Sequence, residues 1–471
     1  MIDEPRTMNI AGRKSLVLGA GKSGIASAKF LAERGAVVAL HDKKEVENWT
    51  DAARSLKESH NVGLISGDIP SWLLDQIDLV VISPGVPTNT IPARYVDRKD
   101  GEVIGEVELA YRFLKGRVVG ITGSNGKTTT TTLIGELLKH SGIETQVGGN
   151  IGTPLLSLAE TSTADSWTVV ELSSFQLETI RDFRPNVGIC LNVTPNHLDR
   201  YNSFTDYAAA KHRLFMNQTQ DDVAILNADD KITAEWAGGL KANAVLFSVE
   251  HELDEGLFLR GSELVCRAND KEKVLTTRGE IFLRGLHNVE NVLASLAAGL
   301  ACGASVESMR ETIRDFKGVE HRIEFVEEID GVKFYNDSKA TSVDATLKAL
   351  EAMSENAGKT VLILGGRGKN APYAPLIDLI EKNVQALVLI GEDADNIESQ
   401  LKGHTEIIRA DSMAKAVKES FATARSGDVV LLAPACASFD MFKSFEERGT
   451  VFKEEVRSLA ARKGRDMATN V

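Results

Sequence analysis

Three times in this chain an apolar run empties into a glycine-rich turn and continues as a polar or helix-forming stretch. The segments are "SLVLGAGKSG" (15–24), "RVVGITGSNGKTTTTTLIGELLKH" (117–140) and "TVLILGGRGKN" (360–370). Strand–turn–helix units in series build parallel sheets and place ligand loops at the carboxyl ends of the strands. Sequence similarity among the three is slight, so they share a plan and are not repeats. The predicted class is α/β, in three domains that suit 471 residues. These are an N-terminal Rossmann-like domain (1–113), a central P-loop ATPase-type α/β domain (114–317) and a C-terminal Rossmann-like domain (318–471). Boundaries fall at "YRFLKGRVV" and "RDFKGVEHRIEFV". Short alternating segments between 245 and 284 predict a small antiparallel sheet attached to the central domain.

The first turn spaces Gly19, Gly21 and Gly24 as G-x-G-x-x-G, and a second apolar run from Val37 ends at Asp42. That is a pyrophosphate fingerprint, open to a nicotinamide dehydrogenase or to another diphosphate ligand. The central turn, Gly123-Ser124-Asn125-Gly126-Lys127-Thr128-Thr129, suits a triphosphate, with Lys127 on the β- and γ-phosphates and Thr128 on Mg²⁺. Ile121 stands where the strict pattern has its first glycine, so the loop is a variant. A P-loop switch or motor NTPase is a second alternative.

Val169 and Val170 lead a strand into Glu171, a carboxylate placed either for Mg²⁺ or for the surface beside a Ser173 or Ser174 helix cap. A strand from Val187 to Val193 precedes a loop with His197 and Asp199, and a helix carrying Lys211 and Arg213. Locally, His197 reads more readily as structural or surface than as a ligand, and Lys211 more readily as a solvated helix lysine than as functional.

A net charge of −13 argues against a nucleic-acid surface. Cys190, Cys266, Cys302 and Cys436 lie too far apart for a zinc motif or a disulfide framework. The first residues have no signal-peptide core, and no apolar stretch reaches membrane-spanning length. A reduced cytoplasmic enzyme, with no membrane insertion, is expected.

Taken together, "TGSNGKTT", "ELSSFQLE", "NVTPNHLDRY", "YAAAKHRLF", "GLHNVENVLASLAAG", "HRIE", "NDSKAT" and "PACASFDMF" resemble the ATP-dependent Mur ligases, in order and over nearly the whole chain. "NDSKATS" and "LAPACASFDMFKSFEERG" are most similar to the D-glutamate-adding branch, with a sister ligase for another amino acid as the rival. The resemblance implies ATP-driven amide formation between UDP-N-acetylmuramoyl-L-alanine and D-glutamate, through an acyl phosphate and a tetrahedral intermediate.

It implies that Gly123 to Thr129 hold the phosphates and that Thr128 and Glu171 hold one Mg²⁺. His197 would hold a second with Lys211, carbamylated by CO₂ to N6-carboxylysine. Asn291, Arg322 and Asp337 match positions around the base and ribose, and Lys339 lies near the reacting phosphate. D-Glutamate would meet Thr341, Lys369, Ser438 and Phe445. The UDP part would meet Lys22, Ser23, Asp42, Lys43, Lys44 and Gly85, with Asn150 nearer the reacting end. Ser342 and Arg367 depart from the usual pattern beside the amino-acid pocket. A monomer is expected, with a C-terminal domain that closes over the central one. Small-angle scattering should then show compaction with ligands.

Overall fold

The computed structural model describes residues 8–91, 95, 101–150, 152–195, 200–283, 285–353, 358–368 and 371–469. Two compact units emerge, Met1–Phe316 and Lys317–Val471, the first carrying two sheets and the second one.

The first sheet is parallel: β1 (Lys14–Leu18), β2 (Val37–Asp42), β3 (Gly63–Ser66), β4 (Leu79–Ile82) and β5 (Glu102–Gly105), in the order β3-β2-β1-β4-β5. The strand order reverses direction at β1. There the Gly19–Gly24 turn leads into the helix Lys22–Glu33, which is where doubly wound sheets bind ligands. Gly24 is required by space. A Cβ on it would lie 1.7 Å from the Gly19 carbonyl oxygen and 2.9 Å from Ser83 Oγ. Gly24→Ala gains about 1 kcal/mol of helix propensity, yet it must push strand and helix apart, at about 1–3 kcal/mol or more. Overlap with rigid backbone at 1.7 Å puts the cost at the upper end, about 3 kcal/mol, so denaturant unfolding should show a net loss of about 2 kcal/mol. An unchanged midpoint would contradict this packing.

The second sheet contains β6 (Arg117–Thr122), β7 (Thr145–Gly149), β8 (Trp167–Glu171), β9 (Val187–Cys190), β10 (Val223–Asn227), β11 (Asn243–Ser248), β12 (Gly256–Arg260), β13 (Glu263–Ala268) and β14 (Lys271–Thr277). Their order is β14-β13-β12-β11-β10-β9-β6-β8-β7. β6 is buried along all but its first residue, so its run "VVGIT" is apolar or small without alternation. The helix Lys127–His140 packs Leu133, Ile134, Leu137 and Leu138 into the core with Val119 and Ile121. The antiparallel segments are continuous with the main sheet: β12 pairs in parallel with β11, then β13 and β14 follow antiparallel. β9 stops at Cys190, three residues before the expected Val193, because Leu191 and Asn192 turn to hold the loop after β6 through Leu191 N–H to Thr122 O and Ser124 N–H to Asn192 O.

Two buried carboxylates tie the connection between these sheets to the central domain. Glu106 accepts from Leu156 N–H (3.2 Å) at the start of the helix Leu155–Thr161, and burial lifts its pKa to about 7. Glu108 accepts from the N–H groups of Arg181, Asp182 and Phe183 and from Arg112 Nε. Lys22 Nζ donates across to the Gly152 carbonyl at 2.9 Å.

In the second unit, β15 (Glu324–Ile329) and β16 (Val332–Asn336) form an antiparallel pair on a parallel set, β17 (Thr360–Gly365), β18 (Val384–Ile390), β19 (Glu406–Arg409) and β20 (Val429–Leu432). The order is β15-β16-β20-β17-β18-β19. Loops from β16, β17 and β20 leave at neighbouring carboxyl ends, and Arg367 and Ala437 exchange backbone hydrogen bonds between two of them.

Candidate active site

After β6 the backbone turns through Gly123 (φ 150) and Gly126 (φ 81) into the helix Lys127–His140. A Cβ at Gly126 would fall 2.2 Å from Asn291 Oδ1, which itself accepts from Thr130 Oγ1 at 3.2 Å. The positive φ and the contact with Asn291 both demand glycine there. Asn125 N–H donates to Asn192 Oδ1 (2.8 Å), and Ser124 Oγ hydrogen-bonds with Tyr207 OH (3.0 Å) and accepts from Thr194 N–H (2.9 Å). Lys127 folds back and its Nζ donates to Gly123 O (2.8 Å) and Ser124 O (3.0 Å). A braced turn before a long helix offers first-turn N–H groups and the positive end of the dipole to an anion.

At the end of β8, Glu171 is 2% exposed, which removes the surface reading of this residue. Thr128 Oγ1 donates to Glu171 Oε2 and Asn150 Nδ2 to Glu171 Oε1, each at 2.8 Å. The Ser173 cap exists as well, in a capping box with Gln176. A buried hydroxyl and carboxylate side by side are hard oxygen donors, and they fit Mg²⁺.

Lys211, on the helix Phe204–His212, is 1% exposed, on a stretch where Ala208 and Ala210 are buried too. Its Nζ donates to Gly123 O at 2.8 Å and lies 4.7 Å from the centre of the Tyr207 ring. Burial, then the charge of Lys127, draws its pKa down to about 7. His197 and Asp199 lie outside the described residues, as does Lys369.

Around the first turn, Lys22 and Ser23 open the helix after β1, Asp42 to Lys44 follow at the end of β2, and Gly85 comes just past β4. Asp42 accepts from Ala20 N–H (2.9 Å) and Lys44 N–H (3.0 Å), which holds its pKa below the usual range although burial opposes this. In the second unit, Asp337, Lys339 and Thr341 follow β16, Ser438 follows β20, and Phe445 begins the helix Phe445–Thr469. Burial lifts Asp337 to a pKa of about 6 against the charges of Arg322 and Lys339. Arg322 sits between His321 (φ 62) and Ile323 (φ 44), a strained backbone for a β-branched residue. Asn192 and Tyr207, which brace the phosphate turn, open the segments "NVTPNHLDRY" and "YAAAKHRLF", yet nothing local assigns them this bracing role; a loop asparagine and a helix tyrosine are ordinary in sequence.

Three family descriptions match successive parts of the chain: "Mur ligase MurD-like, N-terminal domain" over 13–105, "Mur ligase middle domain" over 121–299 and "Mur ligase, glutamate ligase domain" over 321–436. A UDP-N-acetylmuramoylalanine–D-glutamate ligase from Koribacter versatilis is 46% identical, over 96% of this chain and 99% of its own. The chain belongs to the Mur ligase family. A second such ligase, from Solibacter usitatus, is 47% identical over the same shares. Among solved structures, a MurF ligase from Thermotoga maritima in complex with ADP has the same fold, with a TM-score of 0.58 at 18% identity over 96% of this chain and 100% of that one. MurC from the same organism gives 0.55 at 20%, over 94% and 99%. In this Mur ligase the phosphate turn, Glu171 and Lys211 all lie in the middle-domain match. Ser438 and Phe445 lie just past the end of the glutamate-ligase-domain match.

Proposed function

We propose that this Mur ligase joins D-glutamate to UDP-N-acetylmuramoyl-L-alanine with ATP, in cytoplasmic peptidoglycan precursor synthesis. The observation that carries the reading is the 42–47% identity, over nearly full length, to relatives named for that ligation. An alanyl carboxylate oxygen attacks the γ-phosphorus, the bond to the bridging oxygen breaks, and ADP leaves an acyl phosphate. The D-glutamate amine then adds to the acyl carbon, and the tetrahedral intermediate expels phosphate as the nitrogen loses a proton.

The first step brings two anions together, so cationic side chains and oriented N–H groups lower its barrier most. Lys127 leaves the Gly123 and Ser124 carbonyls for the phosphates, and Lys339 adds charge at the transferring group. Asn291, Arg322 and Asp337 seat the base and ribose. Magnesium at two sites, one at Thr128 and Glu171 and one at His197 and carbamylated Lys211, supplies neutralising charge when bound.

The buried Lys211 amine supports that modification. With a pKa of about 7 a large part of it is neutral near pH 7, its nitrogen adds to CO₂, one proton is released, and a carbamate oxygen donor results. Thr341, Lys369, Ser438 and Phe445 receive D-glutamate within 318–471. Lys22, Ser23, Asp42, Lys43, Lys44 and Gly85 receive the UDP end within 1–113, Asn150 serves the reacting end, and a monomer carries the whole site. Phosphate release with UDP-N-acetylmuramoyl-L-alanine and a panel of D- and L-amino acids tests the reading. D-Glutamate should give the largest response; a stronger response to another amino acid would assign the chain to a sister ligase.

A further inference from the structure

Arg448, near the start of the helix Phe445–Thr469, is the largest fully buried side chain of the described residues, at 1% exposure. Its partners are neutral oxygens: Nε donates to Ser338 Oγ (3.0 Å), Nη2 to Ser338 O (2.9 Å) and Nη1 to Cys436 O (3.1 Å). Ser338 Oγ in turn donates to Phe445 O at 2.8 Å. No ion pair of Arg448 occurs among the described residues; burial dominates and draws its pKa down to about 10, against weaker electrostatic influences of the Cys436 and Asp440 side chains. A buried charge without a counter-ion is costly, and helix surfaces offer arginine many cheaper places.

The two loops it joins follow β16 and β20. One carries Asp337, Lys339 and Thr341, the other Ser438. A third loop is close: a Cβ on Gly366, after β17, would be 3.2 Å from Arg448 Nη1. A planar fork of donors holds several acceptors in fixed relative positions, which an ammonium cannot do.

We infer that Arg448 is a positioning residue for the amino-acid pocket, fixing the Asp337–Thr341 and Cys436–Ser438 loops against each other and lending its unpaired charge to the binding of a dianionic amino acid. The inference rests on the proposed D-glutamate ligation. Its test measures kcat and the KM of each of the three substrates in Arg448→Met, Arg448→Lys and Ser338→Ala, with thermal unfolding of each.

Hydrogen bonds to a charged group are worth roughly tenfold or more each in affinity. Arg448→Met should therefore raise the D-glutamate KM by about tenfold or more, with a smaller rise in the ATP KM because Asp337 and Lys339 share the Ser338 loop, and with the KM of the UDP substrate within about twofold. Arg448→Lys should recover part of the loss through its charge, and Ser338→Ala should raise the same KM about threefold. A merely structural arginine would lower the melting temperature and the active fraction with all three KM values unchanged, and that result overturns the inference. If Arg448→Met does not fold, Ser338→Ala decides, and an unaltered D-glutamate KM there rejects it. Wild-type protein that releases no phosphate in response to D-glutamate overturns the ligation reading and this inference together. A responsive wild type with an unaffected Arg448→Met overturns the inference alone.

Discussion

Lys211→Ala is expected to lower the ligation rate by about a thousandfold, the scale seen when a single preorganised charge-stabilising group leaves a water-poor site. The nitrogen lies against Gly123 O in the bend of the glycine-rich turn, so on the proposed ligation a group carried there would act beside the phosphates. An ammonium there would repel a divalent cation, whereas a carbamate would bind it. Formate or acetate should partly rescue the alanine variant by placing a free carboxylate in the vacated space. Full activity of the variant, or no rescue at any concentration, would remove the carbamate from the mechanism. Burial holds the amine near a pKa of about 7. Below that value the proton blocks addition to CO₂, and above it the amine is free. At equal dissolved CO₂, CO₂-depleted enzyme should therefore regain activity faster at pH 8 than at pH 6.

Lys127→Ala should cost a similar factor, about a hundredfold to a thousandfold in kcat, with a higher KM for ATP. Its Nζ already touches two carbonyls of the turn, so removal also loosens Gly123 and Ser124. Lys127→Arg separates the two effects. It keeps the charge but substitutes a wide planar fork for a point donor, and it should stay at least about tenfold below wild type. A Lys127→Ala enzyme with unaltered kcat would mean that the turn binds something other than the transferring phosphate.

The phosphate turn and its flanking strand and helix are legible in sequence because each is local: an apolar run sets the strand, glycines set the turn, and a helical spacing of leucines sets the helix behind it. Glu171 suits Mg²⁺ or the surface equally in sequence, and its burial beside Thr128 removes the surface. Lys211 is different. "YAAAKHRLF" reads as a helix with a solvated lysine, and only packing against Tyr207 and Gly123 shows that small alanines leave room to bury it. Arg448 lies in "FEERG", where three adjacent charges suggest a wet surface; its partner Ser338 is 110 residues away. Glu106 and Glu108 are opaque in the same way: carboxylates in "GEVELAY" suit a wet surface, yet both are buried. The union of β12 to β14 with the main sheet depends on one short pairing with β11, which no periodicity encodes.

Glu106, Glu108 and the Lys22–Gly152 contact act together as a caliper. They run from the Gly19–Gly24 turn and the helix after β5 to the backbone at Gly152, Leu156 and Arg181–Phe183, all within one compact unit and all as side-chain-to-backbone hydrogen bonds. For a substrate anchored by its pyrophosphate at the first turn, the carboxylate reaches the second only if the arm between them has the right length. On the proposed ligation, a precursor one residue short should bind by its nucleotide and yet release no phosphate.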